Sequence, residues 1–206
     1  MANLKEVRER ITSVGTTQQI TKAMKLVAAS KLKRAQDRII QMRPYSNKLS
    51  GILGNILLNV DVESLKLDLA KEREERNVLV VLLTSDKGLC GAFNTNLIKR
   101  AKALLNDKYA TAVAQRRVKL LCIGKRGADY FKNHAVLKNN DYVNLFNELS
   151  FENVSDLTDR IIRAFLSTQF DAVHVVYAQF KNAATQEFIV EQFLPVKVEA
   201  EEGSPN

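Results

Sequence analysis

The stretch VLVVLLTSDKGLCGAFNTNLIKRAKALL, from Val78 to Leu105, carries the clearest structural pattern in the larger part of the chain. Its apolar beginning, Val78–Thr84, predicts a buried strand, and the pattern over Asn94–Asn106 predicts a helix. Gly88 and Gly91 mark a turn between the two. The stretch therefore predicts a strand–turn–helix unit at the start of an α/β domain.

Strands and helices continue to alternate after this unit. Runs rich in Val, Leu and Ile predict two more strands, Val118–Ile123 and Ala172–Phe180, and a last extended segment, Glu187–Val198. Helical patterns fall between them, at Lys125–Asn133 and Val154–Ser167. This alternation predicts a Rossmann-like α/β domain with a mostly parallel sheet, in which the last strand could be antiparallel.

The N-terminal third has a different pattern, because apolar residues recur there in alternating steps of three and four. This seam predicts one long coiled-coil helix, and it needs a partner helix to cover it. Its apolar members are Leu4, Val7, Ile11, Val14, Leu32, Ile39, Met42, Leu49, Leu53 and Ile56. The predicted domains are a shaft helix over 1–60, a charged linker over 61–77, the α/β domain over 78–198 and a tail over 199–206.

A second apolar stripe, Ile20–Met24–Val27, lies where the seam becomes polar. Residues 1–48 also hold the whole net charge of +8, with eleven Lys or Arg against three Asp or Glu, while the remaining residues carry 20 of each sign. A basic segment of this kind is expected to bind an acidic partner, whether nucleic acid, an anionic membrane surface or an acidic protein patch.

The turn after the first strand is the best candidate for a chemical site, but it matches no phosphate motif. A Walker A loop needs a Lys after its glycines, whereas Lys87 precedes Gly88 and Gly91. The helix start near Asn94 would still attract an anion, and so would the GKRG turn that begins at Gly124. A nucleotide site therefore stays an alternative to a plain turn.

Cysteine and histidine chemistry is sparse. Cys90 lies near a helix start, but neither His134 nor His174 is tied to it by spacing, and Cys122 reads as a core residue. The acidic run Glu72–Glu75 reads as a solvated linker rather than as paired catalytic carboxylates. The sequence thus predicts no catalytic residue, no cofactor site and no metal site.

Two stretches carry a family resemblance, TTQQITKAMKLVAASKLKRAQ (Thr16 to Gln36) and SDKGLCGAFN (Ser85 to Asn94). They resemble the gamma subunit of the rotary ATP synthase. That family begins with a helix bearing Q-x-I-T-x-A-M-x-x-V-A-A-S-K and continues with an α/β domain that opens on a strand and [ST]-D-[RK]-G-L-C-G. The order of both motifs is the same in this chain.

The resemblance implies a non-catalytic rotor subunit that couples proton flow to ATP synthesis. Its partners would be the alpha and beta subunits of the catalytic ring, the epsilon subunit and the membrane c-ring, with the membrane touched only indirectly and no nucleic acid bound. Contacts with the beta subunits, which present an acidic segment, are expected from Ile20, Lys22, Met24, Lys25, Val27, Lys31, Lys33, Arg34, Asp86, Lys87 and Cys90.

The sequence departs from this family at its end. The family closes on a second long helix with T-x-E-[IL]-x-E-I-x-x-G-A-A-A, whereas this sequence ends in VEAEEGSPN. The inserted cysteine pair of chloroplast members and a transit peptide are missing, so we expect the cytoplasmic face of a bacterial inner membrane. Two other hypotheses stay open: a nucleic-acid-binding protein with a basic helical arm, and a small α/β nucleotide-dependent enzyme.

Overall fold

A computed structural model describes residues 3–59, 68–134, 136, 141–182 and 185–196, without the side chains of 56–59. Contacts divide the chain into two compact units, residues 1–59 and 60–206. The predicted tail over 199–206, and the end of the last predicted extended segment, lie outside the described residues.

The first unit is one helix, α1, which runs from Leu4 to Asn59 over 56 residues. At 1.5 Å per residue it is about 80 Å long. The helix continues through Pro44, whose missing N–H leaves the carbonyl of Ile40 without its usual helical partner. Along the described part of α1 the apolar seam residues are exposed. The predicted long helix is therefore confirmed.

The second unit is an α/β domain built on a four-stranded sheet in the order β2-β1-β3-β4. Strand β1 pairs in parallel with β2 and β3, while β4 runs antiparallel to β3. The strands are β1 (Val78–Leu83), β2 (Val118–Ile123), β3 (Ala172–Phe180) and β4 (Gln186–Leu194). The mostly parallel sheet is confirmed, and the last strand takes the antiparallel direction that the sequence left open.

Helices lie on both faces of this sheet. They are α2 (Phe93–Ala103), a π-helical turn (Leu104–Lys108), α3 (Ala110–Ala114), α4 (Lys125–Phe131), a 3-10 turn (Leu145–Glu148) and α5 (Phe151–Leu166). Alternate residues of β1 explain this layering. Val80 and Leu82 pack in the core that holds α2 and α4, whereas Leu79 and Val81 pack in the core that holds α5. A strand covered on both faces is apolar throughout, as β1 is.

All three helices predicted in the α/β domain differ from their predicted ranges, and α4 ends at Phe131, two residues before the predicted Asn133. The helix predicted over Asn94–Asn106 ends at Ala103 and passes into the π-helical turn. The helix predicted from Val154 begins at Phe151, because Ser150 caps it by accepting a hydrogen bond from the Asn153 amide at 3.2 Å. The Ser150 cap is a side-chain contact, and a search for apolar periodicity does not register it.

Candidate functional site: the Ser85–Asn94 loop and the exposed faces of α1

The loop between β1 and α2, residues Ser85–Asn94, is held in shape by its own side chains. Asn94 Oδ1 accepts from the Ser85 amide at 3.0 Å, and its Nδ2 donates to Ser85 Oγ at 2.8 Å. Ser85 Oγ donates in turn to the carbonyl of Lys87 at 2.7 Å. Asn94 Nδ2 also lies 3.1 Å from Cys90 Sγ. The motif residues therefore build a fixed turn.

The same loop is joined to the start of α4. Asp86 Oδ1 accepts from the amide of Lys125 at 3.1 Å, and Thr84 Oγ1 accepts from the amide of Gly127 at 2.8 Å. The amide of Arg126 donates to the carbonyl of Ser85 at 3.1 Å. A helix start of this kind attracts anions, and here the carboxylate of Asp86 takes that place. The backbone amides at the start of α4 that could bind an anion are therefore already bonded to groups of the protein itself.

Glycine is required where the two loops meet. Gly124 has a φ of 98°, and a Cβ atom there would overlap the carbonyl of Thr84. A Cβ on Gly127 would lie 2.9 Å from Thr84 Oγ1. The glycines of GKRG therefore permit close contact between two loops, a role that accounts for them without a phosphate.

Leu89, at the tip of the loop, is a residue that sequence reasoning missed. Its side chain is fully exposed and its φ is +60°. A left-handed conformation costs a residue other than glycine roughly 1–2 kcal/mol. Holding an apolar side chain outward in such a conformation is typical of a contact site. Nothing in the sequence distinguishes Leu89 from an ordinary turn residue.

The cysteines and histidines do not come together as a reactive site. Cys122 is buried in β2, and burial raises the pKa of its thiol to about 12. Cys90 is exposed, and its hydrogen-bond neighbours are Ser85, Lys87 and Asn94. His174 is buried beside the Tyr109 hydroxyl. Within the described ranges, no three His, Cys, Asp or Glu residues are grouped as they would be around a metal ion.

The candidate contact residues of α1 lie at its surface. In the second stripe Ile20, Met24 and Val27 are each 57–59% exposed. The bases assigned to the same surface are exposed as well: Lys22, Lys25, Lys31, Lys33 and Arg34. Of the seam, every member from Leu4 to Leu53 is exposed, and the side chain of Ile56 lies outside the described residues. The helix thus presents apolar and basic side chains together.

The class of protein follows from a comparison with family models. The model described as ATP synthase matches residues 3–206, which is nearly the whole chain. Among solved structures, the central stalk and c-ring of Tetrahymena thermophila mitochondrial ATP synthase matches with a TM-score of 0.62 and 29% identity. It covers 85% of this chain and 72% of that one. The rotor of Euglena gracilis mitochondrial ATP synthase, at 17% identity, shares the fold with a TM-score of 0.54, over 92% of this chain and 62% of that one.

Curated relatives narrow the class to one subunit. The ATP synthase gamma chain of Cytophaga hutchinsonii is 46% identical over 200 residues, which are 97% of this chain and 68% of that protein. The gamma chain of Chloroherpeton thalassium is 47% identical over 196 residues, 95% of this chain and 64% of that protein. The chain belongs to the ATP synthase gamma chain family, and it spans about two thirds of the length of these relatives.

Proposed function

We propose that the chain is a rotor subunit of the central stalk of a proton-translocating ATP synthase. One observation carries the proposal: a helix of 56 residues with exposed apolar stripes belongs to the same chain as a closed α/β domain of the gamma-chain family. Its partners are the alpha and beta subunits of the catalytic ring, the epsilon subunit and the c-ring. The structural neighbours come from the central stalk with the c-ring, from F1 with the c-ring, and from the rotor of mitochondrial ATP synthases.

The proposed role is mechanical rather than catalytic. A helix with different side chains around its circumference makes different contacts with each beta subunit as it turns. A contact can shift a conformational equilibrium only by the difference in its energy between the two states. Each catalytic site would therefore change its affinity for nucleotide as the face presented to it changes, and the gamma chain would need no reactive group of its own.

The second stripe is the proposed contact with the beta subunits. Ile20, Met24 and Val27 offer apolar contacts, which can slide without breaking directional bonds. The five exposed bases around this stripe suit the acidic segment that the family's beta subunits present. Apolar contact with charge attraction at its rim would hold the helix in place and still let it turn.

The loop supplies a second proposed contact, with its residues in different roles. Lys87 and Cys90 are exposed and remain candidates for direct contact with a beta subunit. Asp86 is committed to the start of α4, so we assign it to positioning the loop. Leu89 joins the proposed contact residues because it is the most exposed apolar side chain of the loop.

The proposed location is peripheral, at the cytoplasmic face of a bacterial inner membrane. No helix among the described residues is long and apolar enough to cross a bilayer. Contact with the membrane would pass through the c-ring. The two other hypotheses have no support in the family assignment, which covers the basic helix and the α/β domain alike.

The test is an ATP synthase in which this gene replaces the resident gamma subunit. We expect ATP-driven proton pumping by membrane vesicles to be restored, and the purified chain alone to hydrolyse no ATP. Steady turnover by the purified chain that Cys90→Ala or Lys87→Ala abolishes would falsify the non-catalytic role. An assembled complex that hydrolyses ATP but never pumps would contradict the rotor role.

A further inference from the structure

The segment Leu69–Asn77, here called the strap, is the last part of the chain between α1 and β1. Any force that follows the covalent chain from α1 to the sheet passes through it. Its sequence, LAKEREERN, is mostly charged and reads as a solvated connection. That prediction is wrong for Glu75, which is half-buried and bonded, and Arg73 and Asn77 are half-buried as well.

Arg73 fastens the strap to the layer that contains α5. Its guanidinium donates to the carbonyl of Phe165 at 3.0 Å, across 92 positions of sequence. The same group lies 4.6 Å from the centroid of the Phe165 ring, a cation–π distance. Phe165 is fully buried in the core on that face of the sheet. The charged end of Arg73 therefore rests on the core, although most arginine side chains of a linker end in water.

Glu75 fastens the strap to the opposite layer. Lys108 Nζ lies 2.8 Å from Glu75 Oε2, and the Tyr109 hydroxyl donates to the same oxygen at 2.6 Å. Burial raises the pKa of Glu75, but the hydrogen bonds from Lys108 and Tyr109 and the charges of Lys108 and His174 outweigh it, so the net pKa is lowered. The carboxylate thus stays ionised and held.

The contact continues from Glu75 into the core. The hydroxyl of Tyr109 lies 2.5 Å from Nε2 of buried His174 on β3. Because that hydroxyl has one hydrogen and gives it to Glu75, His174 must donate from Nε2. The π-helical turn Leu104–Lys108 ends next to Tyr109, and it presents Lys108 and Tyr109 to the same carboxylate. A rare turn is thus placed where the strap is held.

The sheet supplies a third attachment. The Asn77 amide donates to Asp171 Oδ2 at 2.8 Å, and the Asp171 amide donates to the Asn77 carbonyl at 2.7 Å. At the other end of the strap, the Val196 amide donates to the Leu69 carbonyl at 2.9 Å. One short segment is therefore bonded to both helical layers and to the sheet between them.

We propose that the strap is the torque-bearing attachment of the α/β domain, with Arg73 and Glu75 as its two anchors. The proposal rests on the rotor function above. A strap fixed on one side would rotate about that attachment under load, whereas anchors in two opposite layers divide the load across the sheet. Arg73 and Glu75 are positioning residues for coupling, because they act by holding the chain and not by touching a nucleotide.

The chain offers a matched pair of variants. The anchor variant, Arg73→Gln with Glu75→Gln, removes one base and one acid that reach into the two layers. The control variant, Glu74→Gln with Arg76→Gln, makes the same change of charge but removes an exposed ion pair inside the strap, 2.6 Å long. Each variant is assembled into the ATP synthase, and proton pumping per ATP hydrolysed is measured together with hydrogen exchange.

For the anchor variant we expect ATP hydrolysis to persist and proton pumping per ATP to fall by about twofold or more. A twofold loss is the smallest effect typical of mutations that weaken coupling between distant sites. The hydrogen bond from the Asn77 amide to Asp171 should open more often once the strap is released at Arg73 and Glu75, so this amide should exchange about tenfold faster, the size expected when a hydrogen bond to a charged group is weakened. The amides of β1 and β3 should exchange as in the wild type. The control variant should match the wild type in every measurement.

Equal pumping by the anchor variant and the wild type would overturn the proposal. Faster exchange throughout β1 and β3 would overturn it as well, because the anchors would then support the fold in general. If the double variant does not fold, Glu75→Gln alone carries the same test. Failure of the rotor function is distinguishable, since the wild-type chain would then not pump.

Discussion

The two units of this chain treat apolar side chains in opposite ways. In the α/β domain Val78, Val80 and Leu82 have no exposed surface. In α1, by contrast, Leu4, Ile11 and Met42 are each about two thirds exposed. Burial of such a side chain contributes about 1.5–3 kcal/mol. The domain gains this energy within its own chain, whereas α1 must gain it from another surface.

The two units also differ in whether their surfaces are complete without a partner. The α/β domain satisfies polar groups as well as apolar ones within its own chain. Asp86, for example, caps the start of α4. A helix with two exposed apolar stripes can bury them only against another surface. The exposed stripes of α1 are therefore the surface that we propose for contact with the partner subunits.

Hydrogen exchange should give the largest contrast between the units. In the isolated chain at low concentration, amides of β1 and β3 should exchange about a thousandfold or more slowly than those of α1. Core strands open only with the whole domain, at a cost of roughly 5 kcal/mol or more, while an uncovered helix opens locally.

Equal protection of α1 in a proven monomer would contradict this expectation, because its seam would then be buried in some other way. Protection that disappears on dilution would show that two copies cover each other's seams. Either result would mean that the seam of α1 is not open to a partner subunit in the isolated chain.

Truncating one buried and one exposed leucine should change the free energy of unfolding by very different amounts. Leu120 on β2 is fully buried, whereas Leu26 on α1 is 68% exposed. Leu120→Ala should lower the free energy of unfolding by about 2–5 kcal/mol, while Leu26→Ala should change it by less than about 0.5 kcal/mol. Urea unfolding followed by tyrosine near-ultraviolet circular dichroism measures both, since the chain has no Trp. Equal losses would mean that Leu26 is covered in solution.

Local patterns predicted most of the fold because they follow burial. Strands β2 and β3 have the predicted ends, and β1 is one residue shorter than predicted. The contacts of the strap and of the π-helical turn were not predicted, because they join residues that are far apart in sequence. Glu75 contacts Lys108, 33 positions away, and Arg73 contacts Phe165, 92 positions away. A charged run looks the same in sequence whether its side chains end in water or on a core.

Acid should weaken the attachment of the strap. The folded pKa of Glu75 is lowered, so its contribution to stability is present above the ordinary glutamate pKa and is lost as the pH falls through the folded pKa. Relative to Glu75→Gln, the wild type should be more stable by about 1 kcal/mol at pH 7, and the difference should shrink below about pH 4.

Urea unfolding at several pH values measures this difference. Glu74→Gln is the control, because Glu74 and its partner Arg76 are both exposed. Its difference from the wild type should stay small at every pH. A difference for Glu75→Gln that did not depend on pH would mean that packing, and not charge, holds the strap.

The smallest expected effect concerns the second stripe of α1, tested in an assembled ATP synthase. Val27 is 57% exposed and precedes Lys31 by one helical turn. Val27→Lys would place a new cation against the proposed acidic segment of a beta subunit, where an exposed ion pair is worth about 0–1 kcal/mol. An ion pair that forms at one angle of rotation must break at the next step, so proton pumping per ATP should fall slightly while hydrolysis persists.

Two control variants separate the stripe from charge in general. Val27→Ile keeps the apolar contact and should leave coupling unchanged. Ile40→Lys adds the same charge to an exposed position outside both stripes and should be silent too. If Ile40→Lys lowered coupling as much as Val27→Lys did, total charge on the helix would be responsible, and the stripe would lose its special role.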